Sequence, residues 1–464
     1  MDSLSLHQIA EFAQGMLAAG DAGALVSRVS TDSRTLQPGD LFVPLRGENF
    51  DGHKFIEQAV DRGALGAMVE ETWKGATPKN FALIRVPDTL VGYQTLAANY
   101  RKSLPLKVIA ITGSNGKTST KDFVAATLSR GFRVTKTEGN LNNHVGLPQT
   151  MLAASASDEI AVWEIGMNHP GEIAALAKLA VPDAAIVTNV GLAHIEFMGS
   201  REAIAAEKGA LAEAVGPDGT VILNADDPYS REIAARTRAR VVLAGIENGQ
   251  MRASEVSQSA TGSEFTILEG AHRCRAQLPV PGIHMVQNAV LAVAAGRLFG
   301  LSLEECAAGL ASTPLTKARL QIKEINGIQF IDDSYNANPD SMKAALRTLV
   351  ELDAEGRRIA VLGQMSELGD ESTARHREVG ETAAAVGVDE LIAVGPIGAE
   401  IAQAAKKAGL KQSVSVADPQ EAAGRLSETA SPGDLILVKG SRSARMERVM
   451  EAFSKRQPTA EVSP

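Results

Sequence analysis

The residues best suited to chemistry follow a short apolar run, Val108 to Ile111. A turn of small residues comes next, and Lys117 and Thr118 then open a helical pattern. Turns of this kind point backbone N–H groups inward at the positive end of a helix, where phosphate binds. Lys117 would reach the outer phosphates of a nucleotide, and Thr118 would offer its hydroxyl to Mg²⁺. The predicted phosphate-binding residues are Gly113, Ser114, Asn115, Gly116, Lys117, Thr118 and Ser119.

This loop departs from the common phosphate-binding pattern at one position. The pattern G-x-x-x-x-G-K-[ST] requires glycine where Ile111 stands, so the chain carries the shorter G-x-x-G-K-T. A plain strand, turn and helix with a lysine present by chance is the alternative interpretation. A dinucleotide-binding loop is excluded, because G-x-G-x-x-G is absent and no acidic residue closes the next strand.

The loop belongs to a stretch in which apolar strands alternate with helices. The strands predicted at residues 161–166, 184–189 and 220–224 are each followed by polar residues. This alternation predicts a parallel sheet with helices on both faces. Because ligands bind at the carboxyl ends of such strands, we expect the loop, Glu164 and His194 to meet at one site.

Glu164 and His194 are candidate metal ligands. Mg²⁺ prefers one or two carboxylates together with phosphate oxygens, so Glu164 is suited to a metal contact beside Thr118. Two features favour His194 as a metal ligand: its position beyond a strand end, and the presence of Glu207 and Lys208 on the following helix. The alternatives are a surface carboxylate, a structural histidine and an ordinary exposed lysine.

The length of 464 residues is typical of about three domains of roughly 150 residues each. We predict boundaries that divide the chain into residues 1–104, 105–317 and 318–464. The third unit contains three strands that end in glycine, which is typical of a Rossmann-like domain; it lacks a dinucleotide fingerprint, so no nicotinamide cofactor is assigned. Its tail, residues 455–464, is predicted to be disordered.

Two further groups of polar residues could contact a ligand. Ser33, Arg34 and Arg46 could bind a diphosphate, since arginine presents paired donors to phosphate oxygens. The amide-rich run of residues 139–143 contains Asn140, Asn142 and Asn143 and could contact a polar ligand. Solvated loops and simple turns are the alternatives.

Composition restricts the protein class and its compartment. A hydrophobic content of 44% and a charged content of 22% are ordinary for globular protein. The net charge of −9 argues weakly against a nucleic-acid surface. Two cysteines form neither a disulfide framework nor a metal cluster, which favours a reducing compartment. Since neither a signal segment nor an 18-residue apolar stretch is found, we expect a cytoplasmic protein without a membrane span.

Several motifs, spread over nearly the whole chain, together resemble the Mur ligases, the ATP-dependent amide-forming enzymes of peptidoglycan synthesis. The shortened loop 112–118 is similar to that family's P-loop, which accounts for the missing glycine. The run at residues 332–339, DDSYNANP, is the most specific of these motifs. The other matching stretches are residues 32–34, 39–42, 50–53, 138–143 and 163–168.

The resemblance implies a three-domain α/β protein: a small N-terminal UDP-binding domain, a central P-loop ATPase domain and a C-terminal Rossmann-like domain. It also implies a monomeric ligase that adds D-alanyl-D-alanine to UDP-N-acetylmuramoyl-tripeptide through an acyl phosphate. Another Mur-type amide ligase or a folylpolyglutamate synthase-like enzyme is the alternative. A P-loop kinase and a non-catalytic nucleotide-binding protein are more distant rivals.

The resemblance further implies roles for individual residues. Thr118 and Glu164 would bind one Mg²⁺, and Glu164, His194 and Lys208 a second, with Lys208 carbamylated by CO₂ into an anionic ligand. Asn288 and Arg319 would contact adenine and phosphate, and Asp333 the ribose. Met285 stands where relatives often have asparagine. The implied catalytic residues are Lys117, Glu164, His194, Lys208 and Arg319, and the implied substrate residues are Ser33, Arg34, Arg46, Asn140, Asn142, Asn143, Tyr335, Asn336, Asn338 and Pro339.

Overall fold

The computed structural model describes residues 1–314 and 316–456. Residues 457–464, most of the tail predicted to be disordered, lie outside the described residues. Three main sheets follow one another along the chain, and the predicted α/β class with parallel sheets is confirmed. The domain limits at 104/105 and 317/318 stay predictions. Among the described helices, none has both the length and the apolar character needed to cross a membrane.

The first stretch of chain forms a five-stranded sheet and two small two-stranded sheets. Its longest helix begins after Asp88, whose side chain accepts the Val91 N–H, and ends at Ser103 before the extended Leu104 and Pro105. The five-stranded sheet has the order β2-β9-β8-β5-β4. The strands are β1 (Leu4–Ser5), β2 (Met16–Ala19), β3 (Leu25–Val26), β4 (Val29–Ser30), β5 (Leu41–Phe42), β6 (Arg46–Gly47), β7 (Phe50–Asp51), β8 (Gly66–Glu70) and β9 (Ala82–Val86), and the helices are α1 (Leu6–Phe12), α2 (Ile56–Asp61) and α3 (Thr89–Ser103).

The central stretch forms a nine-stranded sheet packed against helices. The strands are β10 (Lys107–Thr112), β11 (Val134–Lys136), β12 (Ile160–Glu164), β13 (Ala184–Val187), β14 (Thr220–Asn224), β15 (Arg240–Gly245), β16 (Met251–Ser259), β17 (Gly262–Glu269) and β18 (His272–Leu278). The helices are α4 (Lys117–Leu128), α5 (Gly146–Ala153), α6 (Glu172–Ala180), α7 (Ile195–Met198), α8 (Arg201–Glu213), α9 (Ser230–Ala235), α10 (Ile283–Leu298) and α11 (Leu303–Ala311).

The strand order of this sheet places the P-loop at a topological switch point, where successive strands are added on opposite sides of β10. The order is β11-β12-β10-β13-β14-β15-β16-β17-β18, so β10 lies between β12 and β13. Ile111 is paired with Glu164 on one side, and Thr112 with Val187 on the other. The carboxyl ends of these three parallel strands therefore form the crevice in which α/β proteins bind ligands.

The prediction of a parallel sheet is incomplete, because β16, β17 and β18 pair with one another antiparallel. Burial along β16 alternates from Val256 onward, as expected when one face of an antiparallel strand meets solvent. The buried strands β10, β12, β13 and β14 are instead apolar on both faces, and Trp163 is fully buried on β12.

The third stretch forms a six-stranded sheet of order β19-β20-β24-β21-β22-β23. It contains the three predicted strands that end before glycine and the strand predicted at residues 329–333, together with β19 and β23, and its first two strands pair antiparallel. A short 3₁₀ turn at Arg442–Ala444 separates β24 from the helix after it. The strands are β19 (Gln321–Ile325), β20 (Ile328–Asp333), β21 (Arg358–Leu362), β22 (Glu390–Val394), β23 (Gln412–Val416) and β24 (Leu435–Lys439), and the helices are α12 (Pro339–Glu351), α13 (Ser372–Val386), α14 (Gly398–Lys407), α15 (Pro419–Thr429) and α16 (Glu447–Ser454).

Candidate active site

A cleft of about 1800 Å³ lies between the carboxyl edge of the central sheet and the loops that follow β20, β21 and β24. Both walls contain residues singled out from the sequence, so one cavity collects most of the predicted nucleotide, metal and dipeptide contacts. The predicted residues that line it are Ser114, Asn115, Gly116, Lys117, Thr118, Ser119, Asn140, Asn142, Asn143, Glu164, His194, Asn288, Arg319, Asp333, Tyr335, Asn336 and Asn338.

The P-loop is held in place by residues that follow β13. The Thr188 hydroxyl donates to the Asn115 carbonyl at 2.5 Å, and the Asn115 N–H donates to Asn189 Oδ1 at 2.9 Å. Gly113 has a φ of +151°, and a Cβ added there would lie 1.8 Å from Thr188 Oγ1. Gly116 has a φ of +79° and caps α4. Glycine is thus required at position 113 by the close approach of Thr188, and it is favoured at position 116 by the left-handed backbone.

Gly113→Ala is expected to weaken ADP binding by at least about tenfold, because the loop must move away from Thr188 before the methyl group fits. Gly216→Ala is the matched control, since a Cβ there meets nothing within 4 Å. Isothermal titration of both variants with ADP measures the difference. Equal affinities for the two variants would contradict this account of the loop.

Lys117 lies folded back over the loop. Its ammonium donates to the Gly113 carbonyl at 2.8 Å. Burial lowers the pKa of Lys117, the charge of Arg319 lowers it further, and Glu164 opposes the shift. A phosphate in the cleft would supply a direct anionic partner for Lys117, as in other P-loops.

Glu164 forms the floor of the cleft. Its Oε2 accepts the Thr118 hydroxyl at 2.9 Å, and its Oε1 accepts the Asn142 side-chain amide at 2.7 Å. Only 2% of the residue is exposed. Arg319 also contacts Thr118, since its Nη2 donates to Thr118 Oγ1 at 3.1 Å. The Arg319 guanidinium lies 4.4 Å from the centre of the Tyr335 ring.

The oxygens of Thr118 and Glu164 fit a magnesium ion bound through phosphate. Mg²⁺ takes few protein ligands and completes its coordination with phosphate and water oxygens. The described residues contain no group of three His, Cys, Asp or Glu that could enclose a metal. A second ion would therefore need a further anionic ligand beside Glu164 and His194.

Lys208 is the predicted source of that ligand, and it is buried beneath the cleft rather than lining it. Only 1% of the residue is exposed. Burial holds the pKa of its amine well below the ordinary value, and the charge of Lys117 lowers it further. The neighbouring Glu207 directs its carboxylate elsewhere, accepting the N–H groups of Gly171 and Ile173 at the start of α6. Lys208 is thus an amine in an environment that disfavours its charge.

His194 stands at the rim, in the left-handed backbone region with a φ of 63°. Its Nδ1 lies 2.5 Å from Glu367 Oε2, although the approach is not that of a linear hydrogen bond. This contact lowers the pKa of the Glu367 carboxyl. A carboxylate from the C-terminal sheet therefore contacts a predicted metal ligand of the central sheet.

The loop after β20 contacts the P-loop directly. Asn338 Nδ2 donates to Asn115 Oδ1 at 2.7 Å, while its own Oδ1 accepts the Ser341 N–H and caps α12. In the first turn of that helix, the Asp340 carboxylate accepts the Leu192 N–H at 3.0 Å. Asp333, the predicted ribose ligand, is paired with Lys439 at 2.5 Å.

Other predicted residues lie away from the cleft lining. Pro339 is buried as the first residue of α12, and Gly113 is not among the lining residues, although its carbonyl accepts the ammonium of Lys117. The predicted diphosphate residues lie in the N-terminal stretch, Ser33 and Arg34 in the turn between β4 and β5 and Arg46 on β6. All three have protein partners: Ser33 donates to Gln58, Arg34 pairs with Asp32, and Arg46 pairs with Asp51 and Glu70.

Sequence reasoning gave no role to several polar residues that line the cleft, among them Asn189, Asp340, Glu367 and Lys439. Asn189 and Glu367 follow the strands β13 and β21, so a systematic search of positions beyond strand ends could have found them. Lys439 is the last residue of β24. Asp340 could not have been found in this way. Acidic residues are common in the first turn of any helix, so its position did not indicate a ligand site.

Models of known families match three stretches of the chain. They are described as the Mur ligase family, catalytic domain (residues 25–84), the Mur ligase middle domain (111–296) and the Mur ligase, glutamate ligase domain (318–442). The chain belongs to the Mur ligase family.

Individual relatives match this Mur ligase over almost its full length. The UDP-N-acetylmuramoyl-tripeptide–D-alanyl-D-alanine ligase of Bacillus subtilis is 40% identical over 96% of this chain and 97% of its own. The ligase of that name from Escherichia coli is 37% identical over 98% of this chain and 99% of its own. Crystal structure I of MurF from Acinetobacter baumannii has a TM-score of 0.90 at 33% identity, covering 98% of this chain and 100% of that one.

Proposed function

We propose that the chain is an ATP-dependent ligase that adds D-alanyl-D-alanine to UDP-N-acetylmuramoyl-tripeptide. The observation that carries the proposal is the 40% identity to a ligase of that name over 96% of this chain. The geometry supports it, because Asn338 of the predicted dipeptide loop lies 2.7 Å from Asn115 of the P-loop. The two substrates of an amide ligation would thus meet beside the nucleotide phosphates.

The proposed reaction begins when an oxygen of the terminal peptide carboxylate attacks the γ-phosphorus of ATP. The bond to ADP breaks, and an acyl phosphate forms. The amine of D-alanyl-D-alanine then attacks the acyl carbon, the amine loses a proton, and phosphate leaves with one of the original carboxylate oxygens. No covalent step requires a protein nucleophile, so the protein acts by alignment and charge stabilisation.

Specific residues of the cleft fit these tasks. Arg319 donates to the Thr118 hydroxyl and Lys117 donates to the Gly113 carbonyl, so both cations are placed at the P-loop and would neutralise charge on the transferring phosphoryl group. Mg²⁺, held by Thr118 and Glu164, would supply further charge stabilisation at the phosphates. Asn288 would contact adenine, since its side chain lies against Gly116 at the helix start. Asp333 would bind ribose after exchanging its Lys439 contact.

We also propose that Lys208 is carbamylated. Carbon dioxide reacts with the neutral form of an amine, and burial in this site favours that form. The product is an anionic oxygen ligand, which would complete a second Mg²⁺ site with Glu164 and His194. In the N-terminal stretch, Ser33, Arg34 and Arg46 would bind the UDP moiety. The residues proposed to contact the peptide substrates are Asn140, Asn142, Asn143, Tyr335, Asn336 and Pro339.

Two broader properties complete the proposal. We assign the enzyme to the cytoplasm, because the reaction consumes ATP. We also expect a monomer, since a single chain supplies both walls of the cleft.

The test of the proposed function is phosphate release from ATP with both substrates present and with each omitted in turn. The expected result is release that requires both, together with a UDP-linked pentapeptide detected by mass spectrometry. Phosphate release that does not depend on the dipeptide, or ADP formation without a peptide product, would contradict the ligase assignment. Either result would favour another acceptor amine or a kinase.

A further inference from the structure

Residues 316–320, the described part of the linker that leads into β19, lie along the P-loop helix α4. The Thr316 hydroxyl donates to Asp122 Oδ2 at 2.5 Å, and Arg319 donates to Thr118 Oγ1 at 3.1 Å. Thr118 and Asp122 are four residues apart and therefore lie on one face of the helix, on consecutive turns. Two contacts thus set the direction of the linker along α4.

Asp122 is built to hold this contact. The residue is 7% exposed, and its Oδ1 lies 2.6 Å from the ammonium of Lys136 and 3.5 Å from that of Lys121. Lys121 also donates to the Thr137 carbonyl at 2.8 Å. One carboxylate oxygen is therefore fixed by cations, and the other accepts the linker hydroxyl. Hydrogen bonds to a charged acceptor are about twice as strong as those between neutral groups.

The linker backbone is strained where it presents Arg319. Ala318 and Leu320, on either side of it, have φ values of 57° and 51°. The left-handed region is unfavourable for residues with a Cβ and is kept only where surrounding contacts impose it. The Ala318 carbonyl accepts the Tyr335 N–H, and the Tyr335 ring lies under the Arg319 guanidinium. Thr316 supplies the anchor on the other side, two residues before this bend.

We propose that Asp122 and Thr316 are positioning residues that anchor the linker so that Arg319 reaches the P-loop. Neither residue lines the cleft, so each acts through Arg319 and not on substrate. The inference rests on the proposed function, in which Arg319 stabilises phosphoryl transfer. Loss of the anchor leaves the P-loop able to bind nucleotide but lowers the fraction of molecules in which Arg319 is in place.

The test is Thr316→Val, which keeps the side-chain shape and removes the hydroxyl. We expect kcat to fall about tenfold while KM for ATP and Kd for ADP change by less than about twofold. Thr316→Ser should restore most of the turnover. In an Arg319→Ala background the same Thr316→Val change should alter kcat by less than about twofold, since its effect passes through Arg319. Ser312→Ala, which removes a linker hydroxyl bonded to the Gly309 carbonyl, is the control and should be neutral.

A second measurement is independent of turnover. Hydrogen exchange of Thr316→Val should be faster than in the wild type in peptides covering residues 316–335 and unchanged in residues 107–115. Unchanged exchange in both segments, or an equal loss of kcat in the two Arg319 backgrounds, would overturn the inference. Absence of ligation by the wild-type protein would instead reject the proposed function, and the exchange experiment would still decide the role of the anchor.

Discussion

Lys208→Ala is expected to lower kcat by about a thousandfold, the largest effect of any single substitution considered. The buried amine would be the precursor of an anionic metal ligand, and its removal leaves only Glu164 and His194 to hold the second ion. A thousandfold loss corresponds to about 4 kcal/mol of transition-state stabilisation, which is within the range for charge-stabilising groups. Steady-state phosphate release measures the effect.

Three controls separate carbamylation from a purely structural role. Short carboxylic acids such as acetate should restore part of the activity of Lys208→Ala and leave the wild type unchanged. Labelled ¹³CO₂ should give a carbamate carbon resonance in the wild type that is absent from the variant. Lys178→Ala, on the neighbouring helix α6, should behave as wild type. A fully active Lys208→Ala, or a variant that fails to fold while the wild type shows no carbamate signal, would refute the assignment.

Glu164→Gln is expected to lower kcat/KM by about a hundredfold to a thousandfold. Glutamine keeps the shape of the side chain and can still accept the Thr118 hydroxyl, but it removes the charge that both proposed Mg²⁺ ions would share. The Mg²⁺ concentration that gives half-maximal activity should rise. Titration of Mg²⁺ in the phosphate-release assay measures both quantities.

Glu159→Gln is the matched control, because Glu159 stands directly before the same strand β12, at its amino end away from the cleft. We expect this variant to retain wild-type kinetics and Mg²⁺ dependence. The metal assignment would be wrong if Glu164→Gln kept the wild-type Mg²⁺ dependence, or if both substitutions reduced activity equally.

Local patterns in the sequence predicted much of the site. The P-loop is a continuous segment whose strand, turn and helix are each set by neighbouring residues, so Lys117 and Thr118 could be found without a structure. Glu164 and His194 could be predicted because parallel strands gather their carboxyl ends at one edge. Burial of Lys208 could not be deduced in this way, and its proposed role came from the family resemblance.

Contacts between the two walls of the cleft could not be predicted from local patterns. Glu367 meets His194 only because the loop after β21 lies against the central sheet, and no periodicity in either segment specifies that approach. The same holds for Asp340 and the Leu192 N–H. The antiparallel extension β16–β18 did carry a local signal, because polar and apolar residues alternate from Arg273 to Leu278, but the neighbouring parallel strands dominated the interpretation.

The central claim, transfer of a phosphoryl group to a peptide carboxylate before amide formation, is tested most directly by an oxygen label. The tripeptide substrate would be prepared with ¹⁸O in its terminal carboxylate and incubated with ATP, Mg²⁺, D-alanyl-D-alanine and the enzyme. The account predicts released phosphate that carries one ¹⁸O atom and a pentapeptide amide that retains the other. Unlabelled phosphate would mean that water or another acceptor attacks ATP, and it would contradict the acyl-phosphate mechanism.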